Sequence, residues 1–276
     1  MAQLDKLGNV RTTDLNLTIA MGNISGVGYV DKFGENPEID TGSVPEDIWE
    51  QGGEYIYDAD GTAPIMYLSS DSAADIGQTI SVQGLDINGD LVNQEVITDG
   101  QNVVTLTTAL WRVFRMENNS DTGLDLNGTI YCHIDPTPVS GTPSAADTRA
   151  IIDNGNNQTL MALYTVPKGK VGFLMRGEFG MSRSQTAGAI QSAYYSRRLG
   201  KVFKIKKRVD ITNQGSSVYQ DYRSFPDVIP ALTDVKLRVE DVTANSTGVF
   251  GTFDIMLVDE NKFTDSYLAT IGQPGY

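Results

Sequence analysis

Residues 157–174, NQTLMALYTVPKGKVGFL, decide the fold class. Two apolar runs, 160–166 and 171–175, flank Pro167-Lys168-Gly169-Lys170. Proline presets φ for the second position of a β-turn and glycine suits its end, so the pattern predicts strand, turn, strand. Further strands are expected downstream at 171–179, 189–197, 202–211, 235–242 and 249–258. Residues 187–199 read as helix by their Ala, Gln and Leu content; Tyr194-Tyr195 and the sheet-like neighbours favour strand.

Upstream the pattern stays β. Ile80, Val82, Leu85 and Ile87 alternate with polar residues up to Asn88-Gly89, a strong short-range hairpin signal. Strand candidates recur through 129–134 with turn signals between them, as in a sandwich or barrel. The stretch 135–147, DPTPVSGTPSAAD, holds three prolines among small polar residues and reads as a linker. In residues 1–53, Leu15, Leu17 and Ile19 alternate as one short strand would. The Gly and Pro that follow punctuate too often for a long strand, yet Phe33, Ile39 and Trp49 are too apolar for a solvated tail. The expected architecture is therefore all-β: an extended N-terminal arm (1–53), a β-sandwich domain (54–135), a linker (136–150) and a β jelly-roll-like domain (151–276).

The 276 residues suffice for a full core, and at ~100–200 residues per domain two domains are expected. No apolar run approaches the ~20 residues of a membrane helix, and the N-terminus lacks the pattern of a signal peptide. One cysteine, Cys132, and one histidine, His133, argue against zinc sites, internal disulfides and histidine-based triads. On a strand these two neighbours face opposite sides.

Net charge is −14, unevenly spread. The window 168–208 holds 11 basic residues against Glu178 alone, a net of +10, while the rest carries 10 basic against 34 acidic residues, a net of −24. Alternation in Val202-Phe203-Lys204-Ile205-Lys206-Lys207-Arg208 predicts Lys204, Lys206 and Arg208 on one strand face, a basic ridge. Such a ridge either protects a sheet edge or docks onto an acidic surface, including a neighbouring copy of this chain. Interleaved aromatics for stacking on bases are sparse and the surrounding field repels phosphate, so nucleic acid is not an expected partner.

Other motifs reduce to structure. Asp86-Ile87-Asn88-Gly89-Asp90 begins like a calcium loop, but Leu91 and Ile97 stand where such a loop needs Gly and Glu. Gly22–Gly28 lacks the lysine of a phosphate loop. No catalytic constellation emerges, and neither cofactor nor metal is expected. Tyr194, Tyr195, Tyr219 and Tyr222 read as core or subunit-interface residues, with platforms for glycan binding as the alternative.

The stretch 157–174 also resembles the strand pair that opens the C-terminal β-domain of many tailed-phage virion proteins. Asp14-Leu15-Asn16-Leu17, Met21-Gly22-Asn23-Ile24-Ser25-Gly26 and the run from Lys32-Phe33-Gly34 to Pro45-Glu46-Asp47-Ile48-Trp49 resemble the N-terminal segment of the same proteins, in the same order. The two matches cover about a quarter of the sequence. The resemblance implies a non-enzymatic subunit, often trimeric, assembled into virions in the host cytoplasm. It would decorate and cement the capsid by binding the major capsid protein or other virion proteins. Neck or tail adaptor, or receptor-binding module, is the alternative. Phe33, Ile39 and Trp49 on the arm, with Lys204, Lys206 and Arg208, are the expected contacts.

Overall fold

The structure is a computed structural model and describes residues 2–4, 10–12, 15–121, 123, 125–183, 188–212 and 218–271. The chain opens with a small strand pair, β1 (Ala2–Leu4) and β2 (Val10–Thr12), then a short helix α1 (Leu15–Ala20). A long strand β3 (Val27–Ile39) and a two-residue strand β4 (Glu46–Asp47) follow. Next come β5 (Ile65–Ser70), β6 (Ile76–Leu85), β7 (Leu91–Asp99), β8 (Val104–Leu110), β9 (Arg112–Asn118), β10 (Ile130–His133) and β11 (Thr148–Ile152). These form two sheets, β11-β10-β5-β8 and β7-β6-β9, around a core that includes Leu68, Ile80, Val82, Met116 and Ile130.

The second half runs through β12 (Leu163–Thr165), β13 (Lys170–Arg183), β14 (Ala189–Arg198), β15 (Lys204–Thr212), β16 (Val218–Ile229), β17 (Thr233–Val242) and β18 (Thr247–Asp259), ending in α2 (Asp265–Ile271). One sheet has the order β12-β17-β14-β15, with β4 also on β17; the other is β16-β13-β18-β3. Phe179, Tyr194, Val209, Leu237, Val249 and Phe253 fill the space between them. The all-β expectation is met, as is strand rather than helix for residues 189–197. Asn88-Gly89 closes the β6–β7 hairpin, where the Asp86 carboxylate accepts from the backbone N–H of Asn88 and Asp90.

The strand–turn–strand of the deciding stretch is present, but it is not a hairpin. β12 joins one sheet of the second sandwich and β13 the other, so the turn is a corner between layers. Its glycine, Gly169, takes φ +75°, and the Lys170 N–H donates to the Pro167 carbonyl, which puts proline at the first turn position.

Three expectations need correction. Residues 15–20 are helical, with Met21 N–H donating to Leu17 O; six residues are too few for alternation to separate strand from helix. The segment 135–147 joins β10 to β11, adjacent antiparallel strands of one sheet, so it is a loop inside the first sandwich and not a tether between domains. The N-terminal segment is built into the second sandwich: β3 runs antiparallel to β18 from Val27↔Val258 to Ile39↔Thr247, and β4 pairs with β17.

Glycine lets this long strand seat. A Cβ on Gly34 would lie 2.2 Å from the Ala162 nitrogen and 2.6 Å from the Ile48 carbonyl oxygen, both backbone atoms that cannot swing aside. Gly34→Ala is expected to lower stability toward the upper end of the ~1–3 kcal/mol typical of overpacking. Urea denaturation checks this; a change smaller than about 0.5 kcal/mol would show that β3 is not tightly seated.

Candidate docking surface

β15 pairs with β14 on one side only and forms the outer strand of its sheet. The register sets where its cations point, because directly opposed residues of an antiparallel pair share a face. Lys207 opposes Tyr194, Ile205 opposes Tyr195, and the ladder slips between them, leaving Lys206 as a bulge. Lys204, opposite Ser196, therefore lies on the same face as Lys207, whereas Arg208 lies on the other. The single basic ridge expected from alternation is thus split by one extra residue. Lys204 and Lys206 open into a groove beside β16, and Arg208 lies on the outer face of the sheet. All three side chains are exposed.

The other expected contacts separate as cleanly. Phe33 is 39% exposed on the outer face of its sheet, tilted against Phe250 at 6.3 Å. Ile39 and Trp49 are 0% and 3% exposed: Ile39 packs in the core of the second sandwich and Trp49 in that of the first. Trp49 meets Tyr55 edge-on at 5.0 Å. These two anchor the chain to itself, because β3 and β4 have already found their sheet partners. Of the four tyrosines, Tyr194 and Tyr195 are buried and Tyr219 is half-buried beneath Lys207; the side chain of Tyr222 lies outside the described residues.

A buried ionic junction between the two sandwiches was not foreseen. Asp234 on β17 accepts from Nε and Nη2 of Arg112 on β9, at 3.0 and 3.3 Å, from Arg197 on β14 at 2.9 Å, and from the Thr165 hydroxyl at 2.6 Å. The Tyr57 ring stacks between the two guanidinium groups, 5.1 and 4.7 Å from their centres. Two residues along β17, Lys236 pairs with Asp47 of β4 at 2.8 Å, both fully enclosed. Burial pushes the Asp47 carboxyl above its usual range, opposed by Lys236 and the Tyr55 N–H. In sequence, Asp234, Lys236, Arg238 and Glu240 look like a solvated strand face, and nothing in the local pattern marks them as covered.

Catalytic potential can be read from the chain's lone histidine. Ser69 donates to the Gly141 carbonyl at 2.7 Å and sits 2.9 Å from His133 Nε2. With its proton committed to Gly141, the hydroxyl accepts from Nε2–H, so this pair is not a base withdrawing a proton from a nucleophile. Cys132 points into the core of the first sandwich, where burial pushes its thiol up to about 12. Among the described residues, no cluster of three or more His, Cys, Asp or Glu could hold a metal ion, and no helix is long and apolar enough to cross a membrane.

No protein-family model matches the chain, and no curated protein matches it. Among solved structures it is similar to infectious bursal disease virus, Gt strain, at 12% identity and a TM-score of 0.24, over 91% of this chain and 79% of that one. It is also similar to the VP2 subviral particle of infectious bursal disease virus, at 12% identity and a TM-score of 0.20, over 85% and 72%. At TM-scores this low the likeness establishes neither a shared fold nor a shared role.

Two predictions follow from the buried charges. Asp234→Ala leaves two guanidinium groups in the junction without their carboxylate and should cost about 3–5 kcal/mol in urea denaturation, whereas Arg208→Ala should change stability by less than about 0.5 kcal/mol. Equal small effects would mean that the junction is not desolvated. Lys32, enclosed where β3 meets β9, donates to the Phe114 carbonyl; burial, aided by Arg115, pulls its ammonium down to about 7. The unfolded chain keeps that proton to near 10.5, so between these values it binds more protons and stability rises with pH. The stability of Lys32→Met relative to the unsubstituted protein should therefore fall as pH increases from about 7 to about 10. A pH-independent difference in melting temperature would contradict the buried lysine.

Proposed function

We propose that this chain is a structural subunit of a virus particle, a capsid decoration (cement) protein of the tailed-phage type. It acts by protein–protein contact with the major capsid protein or other virion proteins and performs no chemistry. The observation that carries this reading is the use to which the chain puts its reactive groups. Its cysteine and histidine are enclosed, and the buried carboxylates Asp234 and Asp47 are spent on internal ion pairs. What faces outward is a β-surface divided by charge. The sequence resemblance supports the same reading.

The proposed contacts are Phe33, Lys204, Lys206 and Arg208. Phe33 and Arg208 lie on opposite layers of the second sandwich, so they would meet different neighbours in a lattice. Ile39 and Trp49 contribute by fixing β3 and β4. Removing residues 1–53 is consequently a poor test of docking, because it would strip Ile39, Ile48 and Trp49 from both cores. A subunit that binds only the assembled shell stabilises it by mass action.

The test is to add the full chain to purified particles that lack it and to locate it by cryo-electron microscopy. Copies at lattice positions over the whole shell, with a raised temperature of particle disruption, are expected. Copies confined to one vertex or to the tail would replace the decoration role with an adaptor role. Phe33→Asp combined with Arg208→Glu should reduce occupancy without altering the melting temperature. Full occupancy by that variant would remove both residues from the interface.

A further inference from the structure

The second sandwich is open along one side. β15 and β16, the outer strands of its two sheets, flank that side and are linked by the Lys207–Asp221 ion pair at 2.6 Å. Beside this pair lies a groove of about 440 Å³ between the layers. Arg198, Lys201, Lys204 and Lys206 line it, with Asp227 as the one carboxylate among its lining residues. Val202, 74% exposed, lies within the groove.

The lysines of this groove stand apart from the cations that the fold has paired. Arg112, Arg115, Arg149, Lys170, Arg176, Arg197, Lys207, Lys236 and Arg238 each meet a carboxylate within 4.0 Å. Among the described residues, Lys201, Lys204 and Lys206 meet none. In a chain of net charge −14, three lysines without an internal carboxylate converge on one groove and give it a positive field.

A matching surface exists on the same chain. Residues 54–152 hold 14 acidic residues against 3 arginines, a net of −11. All three arginines are already paired, Arg112 to Asp234, Arg115 to Glu117 and Arg149 to Asp58. The tip of the first sandwich remote from the second is where β6 begins and β7 ends. It presents exposed Asp71 and Asp99 beside Ile76 and Ile97, 63% and 64% exposed. The opposite end of the same hairpin packs on the second sandwich, with Lys168 N–H donating to Gly89 O at 2.9 Å, so this tip points away from its own groove.

We infer that the groove between β15 and β16 receives the acidic tip of the first sandwich from a second copy of this chain. Asp71 and Asp99 face Lys204 and Lys206, and Ile76 and Ile97 cover Val202. Both surfaces join apolar side chains to charges of opposite sign, so charge sets the register and supplies the salt-sensitive part of the affinity. The contact uses two different patches, which makes it heterologous and able to close a ring. The inference rests on the virion reading only in giving Lys204 and Lys206 a protein partner.

Sedimentation velocity and native mass spectrometry of the full chain test it. The chain should self-associate at about 0.1 M salt and dissociate at about 1 M, where the screening length falls from roughly 10 Å to roughly 3 Å. Lys204→Glu with Lys206→Glu, and separately Asp71→Lys with Asp99→Lys, should each be monomeric with unchanged melting temperatures. Mixing the two variants should restore association, since each then offers the other a complementary partner. A monomer at low salt, or an oligomer that survives either double substitution, overturns the inference. If the lysine variant still self-associates but loses particle binding, the groove serves the capsid instead, which overturns this inference and leaves the decoration role intact. Self-association as described without particle binding removes the decoration role alone.

Discussion

Asp234 is a carboxylate that two sandwiches cannot do without. It is 4% exposed, and it accepts from an arginine of each sandwich as well as from Thr165. A buried charge of this kind adds little net stability over a well-packed apolar group, because desolvation consumes most of the Coulombic gain. Its value lies in geometry. The bidentate fork of Arg112 admits one orientation of the first sandwich against Asp234, and Arg197, on the neighbouring strand, holds that carboxylate in place. Lys236 and Asp47, a short way along the same strand, form a second enclosed pair that fastens β4 to β17 within the second sandwich.

The N-terminal segment completes what the junction begins. β3 adds the outermost strand to one sheet and β4 lies on β17 of the other, so both layers of the second sandwich include residues from the start of the chain. Trp49 enters the first core and Ile48 the second. Between them these contacts tie the two halves together. The acidic tip and the basic groove, at separate places on the surface, are thereby held in a set relation. A surface divided by charge can specify assembly geometry only if its parts do not move relative to one another.

How much of this was legible depended on whether the information was local. Asn88-Gly89 and the run around Pro167 carry their own turn chemistry, and both turns are where the sequence places them. The tyrosine-rich 189–197 segment is a strand because Ile190 and Tyr194 had a core to fill. Long-range pairing was not legible. A strand holding Gly28, Gly34 and Pro37 reads as a loop until β18 and the Ala162 backbone supply the reason for its glycine. The basic ridge was legible as a charge excess but not as a direction, since a bulge at Lys206 reverses the phase of everything beyond it. Asp234 lay out of reach for a related cause. A charged alternation on a strand is the same text whether water or a second sandwich covers it.

The Asp234 junction and the inserted N-terminal strands join the two sandwiches into one body. Differential scanning calorimetry of the full chain, at salt high enough to keep it monomeric, tests this most directly. One transition is predicted, with the calorimetric enthalpy equal to the van't Hoff enthalpy. Two resolved transitions, or a calorimetric enthalpy well above the van't Hoff value, would mean that the halves unfold independently and that no fixed relation between tip and groove exists.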